Sequence, residues 1–364
     1  MSPMGLVKLG GLRAARKNIR KAVQLANAVW APFAPQKPVR KKAVAAARPS
    51  RVVPARSKPG VGKPMGLQVP STEGFHTARF LYRRADHGYK IYLPPLSSGQ
   101  APAGLVVMLH GCQQTPDDFA AGTRMNDLAR DARCVVVYPC QPASAHRQRC
   151  WNWFDPAAQE RGSGEPAWIA ALARGVAKHW GLRRQQVFIA GLSAGGAMAA
   201  TVAHAYPDVF GACGVHSGLA AGAARGVVGA LSAMRHGSSL GRPPPSQQVP
   251  TIVFHGDGDK TVNPRHGAHV VAAALRPSAA GVRIAGREAT PEMTAMQPTG
   301  GHRYTRQVYR DPRGRIVAER WEVHGMGHAW SGGSDRGCYT DPAGPDASAA
   351  MLAFFLQVAA PKGR

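Results

Sequence analysis

The sequence predicts an α/β fold: a mostly parallel central sheet with helices on both faces. Three observations predict it. Short apolar runs without polar alternation recur along the chain, the pattern of strands buried on both faces. Helix-like segments separate several of them, the spacing of a parallel sheet. One run passes directly into a glycine-flanked serine and then into a helical segment.

The elements follow in order. Phe80 to Arg83 and Tyr89 to Leu93 read as short strands, with Arg84 to Gly88 as the hairpin loop because it holds Asp86 and Gly88. Gly104 to Leu109, Cys134 to Tyr138 and Val187 to Ala190 are continuous apolar runs. Cys213 to His216, Thr251 to Phe254 and Arg320 to Val323 continue the series. Helices are expected over Thr123 to Arg133, Glu165 to Trp180, Ala194 to Ala205, Arg265 to Leu275 and Ala347 to Val358. The second opens on an acid and a proline and stops at Gly181, a start and stop signature. Arg303 to Tyr309 and Arg315 to Trp321 flank Pro312-Arg313-Gly314 and suggest a hairpin feeding the last strand.

The chain has 364 residues, room for one large domain plus an extension. It contains no apolar stretch long enough to cross a membrane as a helix. Its formal charge is +26, and the excess is uneven. The first 66 residues hold 15 Lys and Arg and no acid; Glu73 is the first. Residues 1–66 therefore read as a basic Pro/Ala-rich extension: an amphipathic helix over Leu12 to Trp30, stopped by Pro32, Pro35 and Pro38, then a disordered stretch. A basic run interrupts any apolar core of a secretory signal there. The extension suits an anionic surface, and no specific nucleic acid is predicted. Residues 67–364 form the expected catalytic domain.

Cys112, Cys134, Cys140, Cys150, Cys213 and Cys338 show no CxxC pair and no zinc-like spacing. Six cysteines allow 15 pairings, and buried free thiols are an equal expectation. No metal site and no cofactor are expected, and the oligomeric state stays open.

The strongest chemical signal is Gly191-Leu192-Ser193-Ala194-Gly195, between a strand and a helix. Such an elbow holds the serine in a strained backbone, and larger residues than glycine would collide across it. Ser193 is then a nucleophile at a helix N-terminus. It needs a base, and the base needs an orienting acid. In this architecture the order is Ser, acid, His. After the strand at Thr251 comes His255-Gly256-Asp257-Gly258-Asp259. Asp259 is preferred as the acid, with Asp257 as runner-up and turn cap. After Val323 comes His324-Gly325-Met326-Gly327-His328, and His328 is the expected base, with His324 structural. Two amides should meet a developing oxyanion: that of Ala194, and that of Cys112 with Gly111 as alternative. Trp151, Trp153 and Trp330 are candidate substrate contacts, with packing beneath a lid as the competing role.

Six motifs in this order, LHGCQQTPDDFAAGTRMNDLA, CWNWFDP, GLSAGGAMA, HGDGDKTVNP, MGHAWSGG and YTDPAGPDAS, resemble the esterase family of polyhydroxybutyrate depolymerases, near the feruloyl and acetyl xylan esterases. The resemblance covers roughly residues 75 to 360. It implies an α/β-hydrolase fold, ester hydrolysis through an acyl-enzyme, no cofactor, and triad roles for Ser193, Asp259 and His328. The expected substrate is poly(3-hydroxybutyrate), a short-chain polyhydroxyalkanoate or its oligomers. The alternative is a feruloyl or acetyl ester on plant polysaccharide. A reading of another class is a surface- or nucleic-acid-binding protein that uses its basic tail and carries a vestigial hydrolase domain. Family resemblance implies an extracellular enzyme; the missing signal pattern leaves a cytoplasmic one as alternative.

Overall fold

Nine-residue strands β1 (Gly74–Tyr82) and β2 (Ala85–Leu93) open the ordered core of the computed structural model, which describes residues 66–238, 241, 247–276 and 291–360. The expected helix from Leu12 to Trp30 and the proline-rich stretch after it lie outside these residues. The β1–β2 turn is tighter than expected. Arg83 and Arg84 make it alone, both at positive φ (48° and 68°), and Tyr82 pairs with Ala85. Asp86 and Gly88 therefore belong to β2, where Asp86 holds Arg79 across the pair at 2.6 Å.

The apolar runs become β3 (Gly104–Leu109), β4 (Cys134–Pro139), β5 (Val187–Leu192), β6 (Ala212–His216) and β7 (Thr251–Gly256), each buried throughout. After β8 (Glu292–Met296) and β9 (Tyr304–Arg310), β10 (Ile316–Val323) unites the two segments expected after Gly314. Among the described residues these form a ten-stranded sheet in the order β1-β2-β4-β3-β5-β6-β7-β10-β9-β8. The six strands from β4 to β10 in this order pair in parallel; β1, β2, β9 and β8 add antiparallel borders.

Helices cover the sheet. α1 (Pro116–Thr123) and α2 (Met125–Asp131) replace the single helix expected from Thr123, because Arg124 between them turns left-handed at φ 52°. Thr115 caps α1 by accepting from the Asp118 amide at 3.2 Å. α3 (Gly164–His179) and α4 (Ala194–Ala205) pack on each other and on the strands β3, β5 and β6. α5 (Gly226–His236) was not expected from periodicity; α6 (Arg265–Leu275) lies on β7 and β10, and α7 (Ala347–Ala359) packs against α2 and β6. Phe355 stacks on Phe188 of β5 with ring centroids 4.9 Å apart. No helix among the described residues is long and apolar enough to cross a membrane.

Every parallel strand presents its C-terminal end to the same side, so β3, β5, β7 and β10 deliver their following loops together, the usual location of a site in such sheets.

Candidate active site

Ser193 stands between β5 and α4 with φ 57° and ψ −119°, a backbone conformation that nothing in a strand or helix uses. Its glycines are a steric necessity. A Cβ on Gly195 would overlap the carbonyls of Leu109 and His110, and one on Gly191 would overlap the Gly195 carbonyl. The end of β3 is thus pressed directly onto the serine turn. Ser193 N donates to the His216 carbonyl at 2.9 Å, tying the turn to β6.

Asp259 lies in the loop after β7, 5% exposed. Its Oδ1 accepts from the amides of Thr261 (2.8 Å) and Val262 (2.9 Å). Its Oδ2 accepts from His328 Nδ1 at 2.7 Å. Burial alone would raise this carboxyl; hydrogen bonds from His255 and His328 overcome it and hold it well below the usual range. It stays ionised and fixes the His328 tautomer with Nε2 free to accept a proton. The loop carrying His328 is anchored beside the serine: Ser331 N donates to His216 Nε2 at 2.9 Å, on the residue whose carbonyl holds Ser193. No hydrogen bond joins Ser193 and His328 themselves among the described residues; such links often close only with substrate in place.

Asp257 has a different partner. It accepts from His324 Nδ1 at 2.8 Å and from the Gly325 amide at 2.6 Å, while His324 Nε2 meets Thr305 Oγ1 at 2.9 Å. The two Asp–His pairs run side by side between the β7 and β10 loops.

The two amides considered after β3 differ in their hydrogen bonding. The Gly111 amide donates to Gln114 Oε1 at 2.9 Å, so it is occupied. The Cys112 amide makes no hydrogen bond among the described residues, and Ala194 begins α4. Cys112 forms a disulfide with Cys150, which removes it as a thiol and fastens this loop to the CWNW segment. Cys134, Cys140, Cys213 and Cys338 are free.

The three tryptophans do not line an open surface, which corrects the expectation of substrate contact. Trp151 is 0%, Trp153 4% and Trp330 1% exposed. Trp151 Nε1 donates to the His110 carbonyl at 3.0 Å, supporting the β3 loop from below. Trp330 Nε1 donates to Ser348 Oγ at 3.0 Å, and its ring stacks on His216 at 4.9 Å. They position the loops instead.

Sequence reasoning missed several supports. Glu165 turns inward from the start of α3 and accepts from Gln141 Nε2 (2.5 Å), the Asn152 amide (2.7 Å) and Asn152 Nδ2 (2.8 Å); burial raises its carboxyl. His216 and His255 are buried near Asp259. The only available signal was position: Glu165 stands at a helix start, and His216 and His255 stand near strand ends. Among the described residues no group of three or more His, Cys, Asp or Glu could hold a metal.

Over 244 residues the chain is 28% identical to a poly(3-hydroxyalkanoate) depolymerase C of Paucimonas lemoignei, covering 63% of this chain and 55% of that one. It is 27% identical over 197 residues to a probable acetylxylan esterase A of Aspergillus clavatus, covering 49% and 62%. The chain thus spans about half to three fifths of the length of these curated relatives. A solved acetyl xylan esterase from Aspergillus awamori superposes with a TM-score of 0.53 at 20% identity, covering 70% of this chain and 94% of that one, a likeness of α/β-hydrolase fold. Residues 87–286, more than half of the chain, match the family described as Esterase PHB depolymerase, and to that family the chain belongs.

Proposed function

We propose that the chain is a serine esterase that cleaves carboxylic esters in two acyl-transfer steps. The observation that carries this reading is the 2.7 Å bond from His328 to a buried, ionised Asp259, on a loop that shares His216 as a hydrogen-bond partner with the strained Ser193 turn. His328 Nε2 takes the Ser193 proton as Oγ attacks the ester carbonyl. The Ala194 and Cys112 amides meet the developing oxyanion. The alcohol leaves with a proton from His328, and water, deprotonated by the same imidazole, releases the acid.

The substrate within this reading is a short-chain polyhydroxyalkanoate or its oligomers, supported by the family and by the depolymerase relative. Acetyl or feruloyl esters of polysaccharide are the second reading, favoured by the acetylxylan and feruloyl esterase relatives. The Cys112–Cys150 bridge supports action outside the cell, where disulfides persist. The basic residues 1–66 are read as a tether to an anionic surface.

The test is hydrolysis of amorphous hydroxybutyrate polymer, acetylated xylan and soluble esters by wild type and Ser193→Ala. Hydroxy acids are the expected product from the first, and the variant should lose roughly three or more powers of ten in kcat on every substrate. Undiminished turnover by the variant would remove Ser193 from the mechanism. Acetate release from xylan with no attack on the polymer would transfer the reading to the polysaccharide esters.

A further inference from the structure

Asp259 does not serve His328 alone. His255, in β7, approaches the same carboxylate oxygen: its Nε2 lies 3.3 Å from Asp259 Oδ2 and 3.0 Å from the Val262 carbonyl. Oδ2 therefore faces two imidazoles, His328 at 2.7 Å and His255. Oδ1 is filled by two amides. A carbonyl only accepts, so His255 Nε2 must carry the hydrogen, shared between Val262 and the carboxylate.

The other ring nitrogen offers no second site for a hydrogen. His255 Nδ1 is buried and has no hydrogen-bond partner among the described residues. The side chain is 1% exposed and rests against Gly267, where a Cβ would come within 3.5 Å of Nδ1. An imidazolium would need to place a second N–H there, unsatisfied and away from water. The titratable groups around it are Asp259, His328, His216 of β6 and His266 of α6. Three of these are imidazoles, and the carboxylate is already committed to His328. The well-placed hydrogen of His255 is thus the one on Nε2.

We propose that His255 is a positioning residue for the triad acid: its Nε2–H fixes Asp259 Oδ2 toward His328 and withdraws part of the carboxylate charge from it. The inference rests on the triad reading above. Without the second donor, more negative charge on Oδ2 falls to His328 alone. The imidazole then holds a proton more tightly, and the carboxylate is freer to rotate. Substrate never touches His255, so binding is unaffected.

The experiment compares His255→Phe, which keeps a buried ring without a donor, with His255→Gln, which keeps an N–H. His255→Phe should lower kcat about tenfold, the scale of one lost hydrogen bond to a charged group. KM should not change, and the acid limb of the rate profile should move to higher pH. His255→Gln should recover much of both. Wild-type kcat in His255→Phe with an unmoved limb would overturn the proposal. So would a KM change with kcat intact. In wild type, nitrogen-15 shifts of the ring should place a hydrogen on His255 Nε2; an Nδ1–H tautomer would overturn it without any variant. This measurement decides if His255→Phe does not fold. Turnover surviving in Ser193→Ala would defeat the triad reading instead. The low-field proton of the His328–Asp259 bond, shifted in His255→Phe, would still report the positioning role.

Discussion

At Ser193 the backbone stores strain that the surroundings hold in place. Leu109, His110 and Gly195 leave no room for a Cβ on the flanking glycines. Gly195→Ala should therefore displace the end of β3 along with the turn; a thermal melt should record a loss of several degrees, with activity falling together with it. Asp259→Asn tests the partner. It preserves shape but offers His328 an amide, favouring the wrong tautomer, and kcat should drop by about four powers of ten, measured with a soluble ester. Asp257→Asn touches a different histidine and should cost far less, which separates the two acids by rate alone. The preference for Asp259 rested on the Gly-x-x-Asp arrangement and the Val262 anchor, and in the fold this carboxylate lies 2.7 Å from His328 Nδ1 while Asp257 meets His324. The burial of Trp151, Trp153 and Trp330 was not legible. It depends on His110, Ser348 and His216, partners distant in the chain, and an aromatic looks the same in sequence whether it faces water or a core.

Among elements, β3 to β7 were readable because strands buried on both faces are mostly apolar runs, with their few polar residues near the ends, as His216 and His255 are. α1 was hidden by Pro116, Asp117 and Asp118, a capped first turn that resembles a loop. β8 was hidden because both its faces are exposed, so it lacks alternation. The loops between elements hold the site and are fastened by long-range bonds. Glu165 needs both oxygens as acceptors: Oε1 for Gln141 and Asn152 Nδ2, Oε2 for the Asn152 amide. Glu165→Gln would turn one donor against another and should destabilise the protein by about 1–3 kcal/mol in denaturant unfolding. The Cys112–Cys150 bridge closes 38 residues of sequence separation, for which chain entropy predicts about 4 kcal/mol. Cys150→Ser should lower the unfolding midpoint accordingly. It should also reduce kcat more than KM, since the Cys112 amide loses its fixed position.

Over the whole molecule, pH acts through paired carboxylates. Asp208 is held below the usual 3.8 by Arg161, while Asp257, Asp259 and Asp311 lie below it because hydrogen bonds overcome burial. A folded value below the unfolded one means that the unfolded chain binds protons first, so stability is present above about 3.8 and is lost as pH falls further. Melting temperature followed by circular dichroism should fall from pH 5 to 3, and Asp311→Asn should flatten part of that slope. Glu165 acts oppositely: burial raises it, so its contribution is complete at low pH and shrinks as pH rises through its folded value. The basic excess sits mostly outside the described residues, and binding to anionic vesicles should weaken steeply with salt and vanish when residues 1–66 are removed.

The bridge between the first loop and the tryptophan segment has one more implication. On the esterase reading proposed above, a chain kept among reducing thiols would retain Ser193, His328 and Asp259 but lose the anchor of the Cys112 amide. On that reading, ester turnover by the folded protein should fall when the bridge is reduced and return when it re-forms.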